Sequence, residues 1–223
     1  MPSIKNWWTE EIDWSTPAGQ LLQKFLATLP KNRPFHLTLY GSAPLQLTVD
    51  RQLMSGDVDL FSDDGEDLTT LITAAKLDKA HGGFYLEPGF ELSFRTSPRW
   101  RQRARIIQLA DVTLTIPHPV DILIGKLDRL DAKDLKAFER VHQLTGHPTA
   151  GELLHELQNA VDLFRPAFDD DSPNRYPGNT CRLWRELFRA EIDIRRDIIE
   201  PALVRRKQGY GETPPDYKKA LGQ

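Results

Sequence analysis

Strand-like segments are confined to the first half of this 223-residue chain, and from Pro117 onward the recurring pattern is helical. That asymmetry implies an α/β (α+β) architecture. A mixed, antiparallel-leaning sheet flanked by helices would occupy residues 1–116, and a helical region, 117–223, would pack on it. No internal repeat interrupts this plan. Ser15-Thr16-Pro17 supplies a helix start, and Leu21, Leu22, Phe25, Leu26 and Leu29 recur at helical spacing until Pro30. "FHLTLYGS" reads as a buried strand broken at Gly41, "APLQLTV" as a short helix, and "DVDLF" as the next strand. "EDLTTLITAAKL" is amphipathic, with Leu68, Leu71, Ile72, Ala75 and Leu77 on one side. "GGFYLEPGFELSFR" and "RIIQLADVTLTIP" read as hairpins, the second turning near Ala110-Asp111.

The second half carries four helical runs: "HPVDILIGKLDRL", "AKDLKAFERVHQL", "TAGELLHELQNAVDLF" and "TCRLWRELFRAEIDIRRDIIEPALVRR". "RPAFDDDSPNRYPGN" separates the last two as a loop, and "GYGETPPDYKKALGQ" reads as a loosely held tail. The N-terminal "MPSIKNWWTEEIDW" has no apolar h-region and carries acids, so it is expected to be no signal peptide, with its three Trp anchoring it to the body.

Charge and cysteine usage narrow the chemistry. The net charge of −3 provides no overall basic field for nucleic acid, so any such contact needs a local patch. The single Cys181 forms no internal disulfide, and no Cys/His array has zinc spacing. No run approaches the roughly 18 apolar residues of a membrane span. These features fit a cytoplasmic protein with no membrane partner.

The densest chemistry lies between residues 41 and 59. Residues two apart in a strand share a face, so Asp57 and Asp59 stand together while Val58 and Leu60 turn to the core. Two adjacent carboxylates repel each other unless a cation sits between them. Mg²⁺ is bound by one or two carboxylates together with substrate phosphates and water, which is what this pair offers. Gly41-Ser42 adds a turn where backbone can approach a ligand closely, followed by helix-opening N–H groups that suit phosphate.

On these residues the chain resembles a known group. "LYGSAPLQLTVDRQLMSGDVDLF" is similar to the first signature of the nucleotidyltransferase superfamily with the polymerase-β-like fold, and closest to AbiEii-type toxins and related nucleotidyltransferase-like proteins. Arg51 and Ser55 match the Arg and Ser/Thr that precede the acidic pair in that group. "TIPHPVDILIGKLDRLDAKDLKAF" is similar to its later motifs, which places Lys126 on the nucleotide phosphates and Asp134 in the fourth motif. The superfamily adds a third carboxylate; Glu91 in "FELSF" is the first choice and Asp111 the second.

The resemblance implies transfer of a nucleoside monophosphate from an NTP to an acceptor hydroxyl, of RNA or tRNA or of a protein. Mg²⁺ or Mn²⁺ would be held by Asp57, Asp59 and Glu91. Gly41, Ser42, Arg51, Ser55, Lys126 and Asp134 would bind the nucleotide. Likeness to the toxins implies a toxin–antitoxin pair with an antitoxin protein as partner. The alternative is a catalytically inactive nucleotidyltransferase-like binding module. Arg95, Arg99, Arg101, Arg103 and Arg105, with Trp100 among them, form a phosphate clamp if that stretch is extended and scatter if it is helical.

Overall fold

A computed structural model describes residues 7–9, 11–31, 33–165 and 173–210. Five strands form one sheet: β1 (Phe35–Tyr40), β2 (Asp57–Ser62), β3 (Tyr85–Pro88), β4 (Arg105–Leu109) and β5 (Val112–Ile116). Their spatial order is β3-β2-β1-β5-β4. β1 pairs antiparallel with β2, as β4 does with β5, whereas β1–β5 and β2–β3 are parallel. The sheet is therefore evenly mixed rather than antiparallel-leaning. The difference arises at "FELSF", where Glu91–Ser93 form a 3₁₀ turn instead of a strand. Pro88-Gly89 ends an edge strand there, and Phe94 leaves the sheet plane to pack with Phe61 and Trp100.

Helices α1 (Pro17–Thr28), α2 (Ala43–Thr48) and α3 (Leu68–Ala74) belong to the sheet half. α1 starts where expected because Thr16 Oγ1 accepts from Gly19 N at 3.1 Å and Pro17 occupies the first turn, where its missing N–H costs nothing. One face of the sheet buries Leu37, Leu39, Val58, Leu60, Leu86 and Leu114 against Leu22 and Phe25 of α1 and Ile72 of α3. The alternation of apolar residues in β1, β2 and β5 makes that face.

The helical half comprises α4 (Pro119–Lys126), α5 (Ala132–Thr145), α6 (Ala150–Asn159), α7 (Tyr176–Phe188) and α8 (Glu200–Tyr210). Leu123, Leu127, Phe138, Leu153, Leu157 and Leu183 form its core. α7 begins earlier than the sequence pattern indicates, with Pro177 in its first turn; residues 166–172 of the expected loop and 211–223 of the expected tail lie outside the described residues. The long run 180–206 is divided. Arg189 turns left-handed at φ +52°, and Asp193 then caps a six-residue π-turn, Ile194–Ile199, that leads into α8. α2 links the two halves: all six of its residues are buried, Ala43 and Leu47 in the sheet core and Leu45 in the helical core. Trp7, stacked on His147 with ring centroids 5.3 Å apart, fastens the N-terminal segment to the helices.

A buried ion cluster joins the halves a second time. Arg103 donates from Nε (3.0 Å) and Nη2 (2.6 Å) to Asp121 of α4, and its Nη1 lies 2.8 Å from Glu156 of α6. Asp121 is fully buried, and burial pushes its carboxyl up to about 6 although the Arg103 guanidinium opposes the shift.

Candidate active site

The strand period places the acids as expected. Val58 and Leu60 are wholly buried, so Asp57 and Asp59 stand together on the opposite face of β2, half-buried. Sheet register extends this pair sideways. Asp59 is opposite Tyr40 on β1 and Glu87 on β3, and Asp57 is opposite Tyr85. Leu86 lies in the same core as Val58, which forces Tyr85 and Glu87 onto the acidic face. Tyr85 Oη donates to Asp57 Oδ2 at 3.4 Å.

Three anions near one another carry an electrostatic cost. Burial, and then the charge of Asp57, push the Asp59 carboxyl up to about 6; Glu87 adds to the rise, while Lys126 and Arg129 oppose it. Tyr40 is pushed up to about 12, mostly by burial and then by Asp59 and Glu87.

Gly41 fits this geometry for two reasons. Its φ is +69°, and a Cβ there would come within 1.8 Å of Asp59 Oδ2. The backbone of the Gly-Ser turn thus rests directly against the acidic pair. Gly41→Ala is expected to lose roughly 1–2 kcal/mol from the left-handed conformation alone, and more from displacing Asp59. Urea unfolding of the variant measures the loss. Ser42, which precedes α2, makes no side-chain cap bond, and its hydroxyl side lines a cleft of about 150 Å³.

That cleft lies where the two halves meet. Ser55, Gly56, Asp57 and Asp59 line it from the sheet half, and Lys126, Arg129, Lys133 and Asp134 from the helical half. The cations do not come from a single helix face. Lys126 ends α4, Arg129 lies in the connection and Lys133 opens α5. The buried Asp134 carboxylate holds the first two in place, with Lys126 Nζ at 3.5 Å and Arg129 Nη2 at 3.8 Å. It also accepts from Asp131 N at 3.3 Å, which fixes the start of α5. Leu45, Leu53 and Ala137 supply an apolar floor, with the exposed Met54 at the rim. Arg140 of α5 ties down the loop carrying Met54 and Ser55, through 2.6 Å to Asp50 and 2.7 Å to Gln52.

Of the residues singled out from sequence, Ser42, Ser55, Asp57, Asp59, Lys126 and Asp134 meet at this cleft, and Gly41 packs against Asp59 beside it. Three assignments need correction. Glu91, expected on a strand beside the acids, sits in the 3₁₀ turn and is held by Arg101 at 2.8 Å, together with Asp63. Asp111 lies in the β4–β5 turn, where its carbonyl accepts from Phe35 N. Phe35 starts β1 and Tyr40, opposite Asp59, ends it, so Asp111 is at the far end of the sheet, about 17 Å away. Arg51 points away from the cleft, bonding Ser15 Oγ at 3.2 Å with Asp13 Oδ2 at 3.9 Å.

The residue missed is Glu87. Its signal was the period-two pair Tyr85/Glu87 in "FYLEP", the same spacing as Asp57/Asp59. The arginine run is not a clamp either. Trp100–Gln102 form a 3₁₀ turn and Trp100 is buried against Phe94. Arg95 pairs with Asp128, Arg101 with Asp63 and Glu91, and Arg103 with Asp121 and Glu156, while Arg105 lies over Trp8.

Among the described residues no three ligating side chains are already gathered about one point, and no helix is long and apolar enough to cross a membrane. Comparison of the chain with protein-family models, curated proteins and solved structures returns no match.

Proposed function

We propose that the protein is a metal-dependent nucleotidyltransferase that moves a nucleoside monophosphate from an NTP to an acceptor hydroxyl. The observation that carries this reading is one cleft lined by paired carboxylates, three cations and Ser42, with Gly41 packed against Asp59. Asp57 and Asp59 are the oxygen ligands a hard divalent cation would take here, and Glu87, opposite Asp59 in the register of β2 and β3, replaces Glu91 as the candidate for a third. Asp59, held up at about 6 by burial and then by its anionic neighbours, is a group that a bound cation relieves. Mg²⁺ or Mn²⁺ there supplies charge neutralisation of the triphosphate and a more acidic attacking hydroxyl.

The chain's own residues provide position and field. Lys126, Arg129 and Lys133 draw the triphosphate into the cleft, and Asp134 keeps the first two from collapsing onto Asp59. The Gly41 backbone and the Ser42 hydroxyl approach the phosphates from the sheet side. The acceptor oxygen attacks the α-phosphorus, the bond to the β-phosphate breaks, and pyrophosphate leaves. Rate enhancement comes from in-line positioning and fixed charges. Resemblance of residues 39–61 to AbiEii-type toxins supports an RNA acceptor such as a tRNA end, an antitoxin partner and a cytoplasmic setting.

A second reading, a catalytically inactive nucleotide-fold binding module, is favoured by one observation: Glu91 and Asp111 both lie outside the cleft. Thermal unfolding with Mg²⁺ and each NTP separates the two. At a hundredfold excess over Kd a ligand stabilises by about 2.7 kcal/mol, a rise of roughly 5–10 °C for a chain of this size. The transferase requires that rise with metal and NTP together, accompanied by pyrophosphate release when total RNA is added. No rise with any Mg-NTP removes the transferase reading.

A further inference from the structure

We infer that Tyr85 is an acceptor within the protein itself, taking a nucleoside monophosphate onto its phenolic oxygen; this rests on the nucleotidyltransferase reading of the cleft. A hydroxyl that attacks phosphorus beside this carboxylate pair needs three properties. It must lie on the acidic face, direct its proton at a carboxylate, and be reachable by a nucleotide.

Tyr85 has all three. The register of β3 on β2 sets it directly opposite Asp57, on the same face as Asp59 and Glu87. Its Oη already donates to Asp57 Oδ2 at 3.4 Å, which leaves the oxygen lone pairs directed away from that carboxylate. β3 is an edge strand of the sheet, and Tyr85 is only half-buried.

Tyr40, the other tyrosine of the row, is on the central strand with Gly89 packed so closely on its hydroxyl that a Cβ at residue 89 would stand 1.9 Å from it. Both rings are half-buried, but Tyr85 stands at the edge of the sheet. Lys79 also approaches the Tyr85 ring, with Nζ 5.8 Å from its centroid, which brings a cation to the same side chain. No other described residue of the row combines a hydroxyl, a carboxylate contact and an open side.

The step balances without a further reactant. The Tyr85 oxygen forms a bond to the α-phosphorus of an NTP, and the bond from that phosphorus to the β-phosphate oxygen breaks. Pyrophosphate leaves with the electron pair. The phenolic proton passes to the Asp57 carboxylate and from there to water. The product is a tyrosyl phosphodiester that carries one negative charge and a nucleoside at the rim of the acidic row. It would stand across the approach to Asp57 and so limit transfer to external acceptors.

The test is incubation of the full chain with Mg²⁺ and each α-³²P-labelled NTP, followed by a denaturing gel and peptide mass spectrometry. The expected result is one nucleotide per chain on the peptide containing Tyr85. Tyr85→Phe should lower the label at least tenfold while keeping both the melting temperature and its rise with Mg-NTP. Asp59→Asn should remove the label. Label on another residue, undiminished label in Tyr85→Phe, or label that survives Asp59→Asn overturns the inference. So does an Mg-NTP-stabilised protein that stays unlabelled, a result that leaves the transferase reading intact. Absence of both stabilisation and label removes that reading and the inference with it.

Discussion

Asp59→Asn is expected to end transfer and, in the metal-free protein, to raise thermal stability. The two effects share a cause. The folded carboxyl sits at about 6 because burial and Asp57 disfavour its charge, whereas in the unfolded chain it ionises near 4. Below about pH 4 it is neutral in both states and contributes no difference. As pH rises from about 4 to 6 the unfolded state gives up its proton first, so stability falls. Above about 6 the full cost of the buried charge remains. Asparagine keeps the shape without the charge, so the variant should gain on the order of 2 kcal/mol at pH 7–8 and nothing near pH 4. Melting curves from pH 4 to 8 without divalent metal measure this. With Mg-NTP the order reverses, because the variant loses the ligand-induced rise, and transfer should fall by roughly a hundredfold or more. Unchanged turnover would place the chemistry elsewhere.

Arg103→Leu is expected to be the most destabilising single change in the chain, by about 3–5 kcal/mol. Leucine fills much of the volume but leaves Asp121 and Glu156 as two buried carboxylates with no cation between them. Asp121 is already pushed up to about 6 with Arg103 in place, and losing the guanidinium raises it further. The deficit should be largest above about pH 7 and should shrink as pH falls and Asp121 takes up its proton. Urea unfolding at pH 5 and pH 8 measures the difference. Adding Asp121→Asn and Glu156→Gln to the variant should restore a large part of the loss at pH 8, since it removes both unpaired charges. Equal loss at both pH values would mean that packing, not charge, accounts for the effect.

What the sequence disclosed, and what it withheld, follows from the range of the forces involved. Asp57 and Asp59 were legible because period two is a local property of any strand with Val58 and Leu60 in its core. The turn at Gly41-Ser42 and the helix start at Thr16-Pro17 were legible because each is also set by local residue types. The two glutamates flanking Pro88-Gly89 were not distinguishable locally. Either could follow a strand, and the choice was made by Phe94, whose packing with Phe61 and Trp100 pulls residues 90–94 out of the sheet. The arginine run was misleading in a similar way. Its partners Asp63, Asp121, Asp128 and Glu156 are scattered along the chain, and only the fold brings them to the guanidinium groups. Lys126, Arg129 and Lys133 had helical spacing, yet they gather at one cleft because a helix ends and another begins there.

The wedge formed by α2 has a consequence for how the molecule comes together. Six residues are too few for a helix to persist by itself in water, so α2 forms only when the sheet receives Ala43 and Leu47 and the helices receive Leu45. Neither half has a complete surface without the other, and unfolding should be a single cooperative transition rather than two. The Gly-Ser turn leads directly into this helix, so the cleft beside Asp57 and Asp59 is complete only when both halves are in place. A fragment ending near residue 116 keeps the acidic strand but lacks Lys126, Arg129, Lys133 and Asp134, and on the proposed function it has no place for a triphosphate.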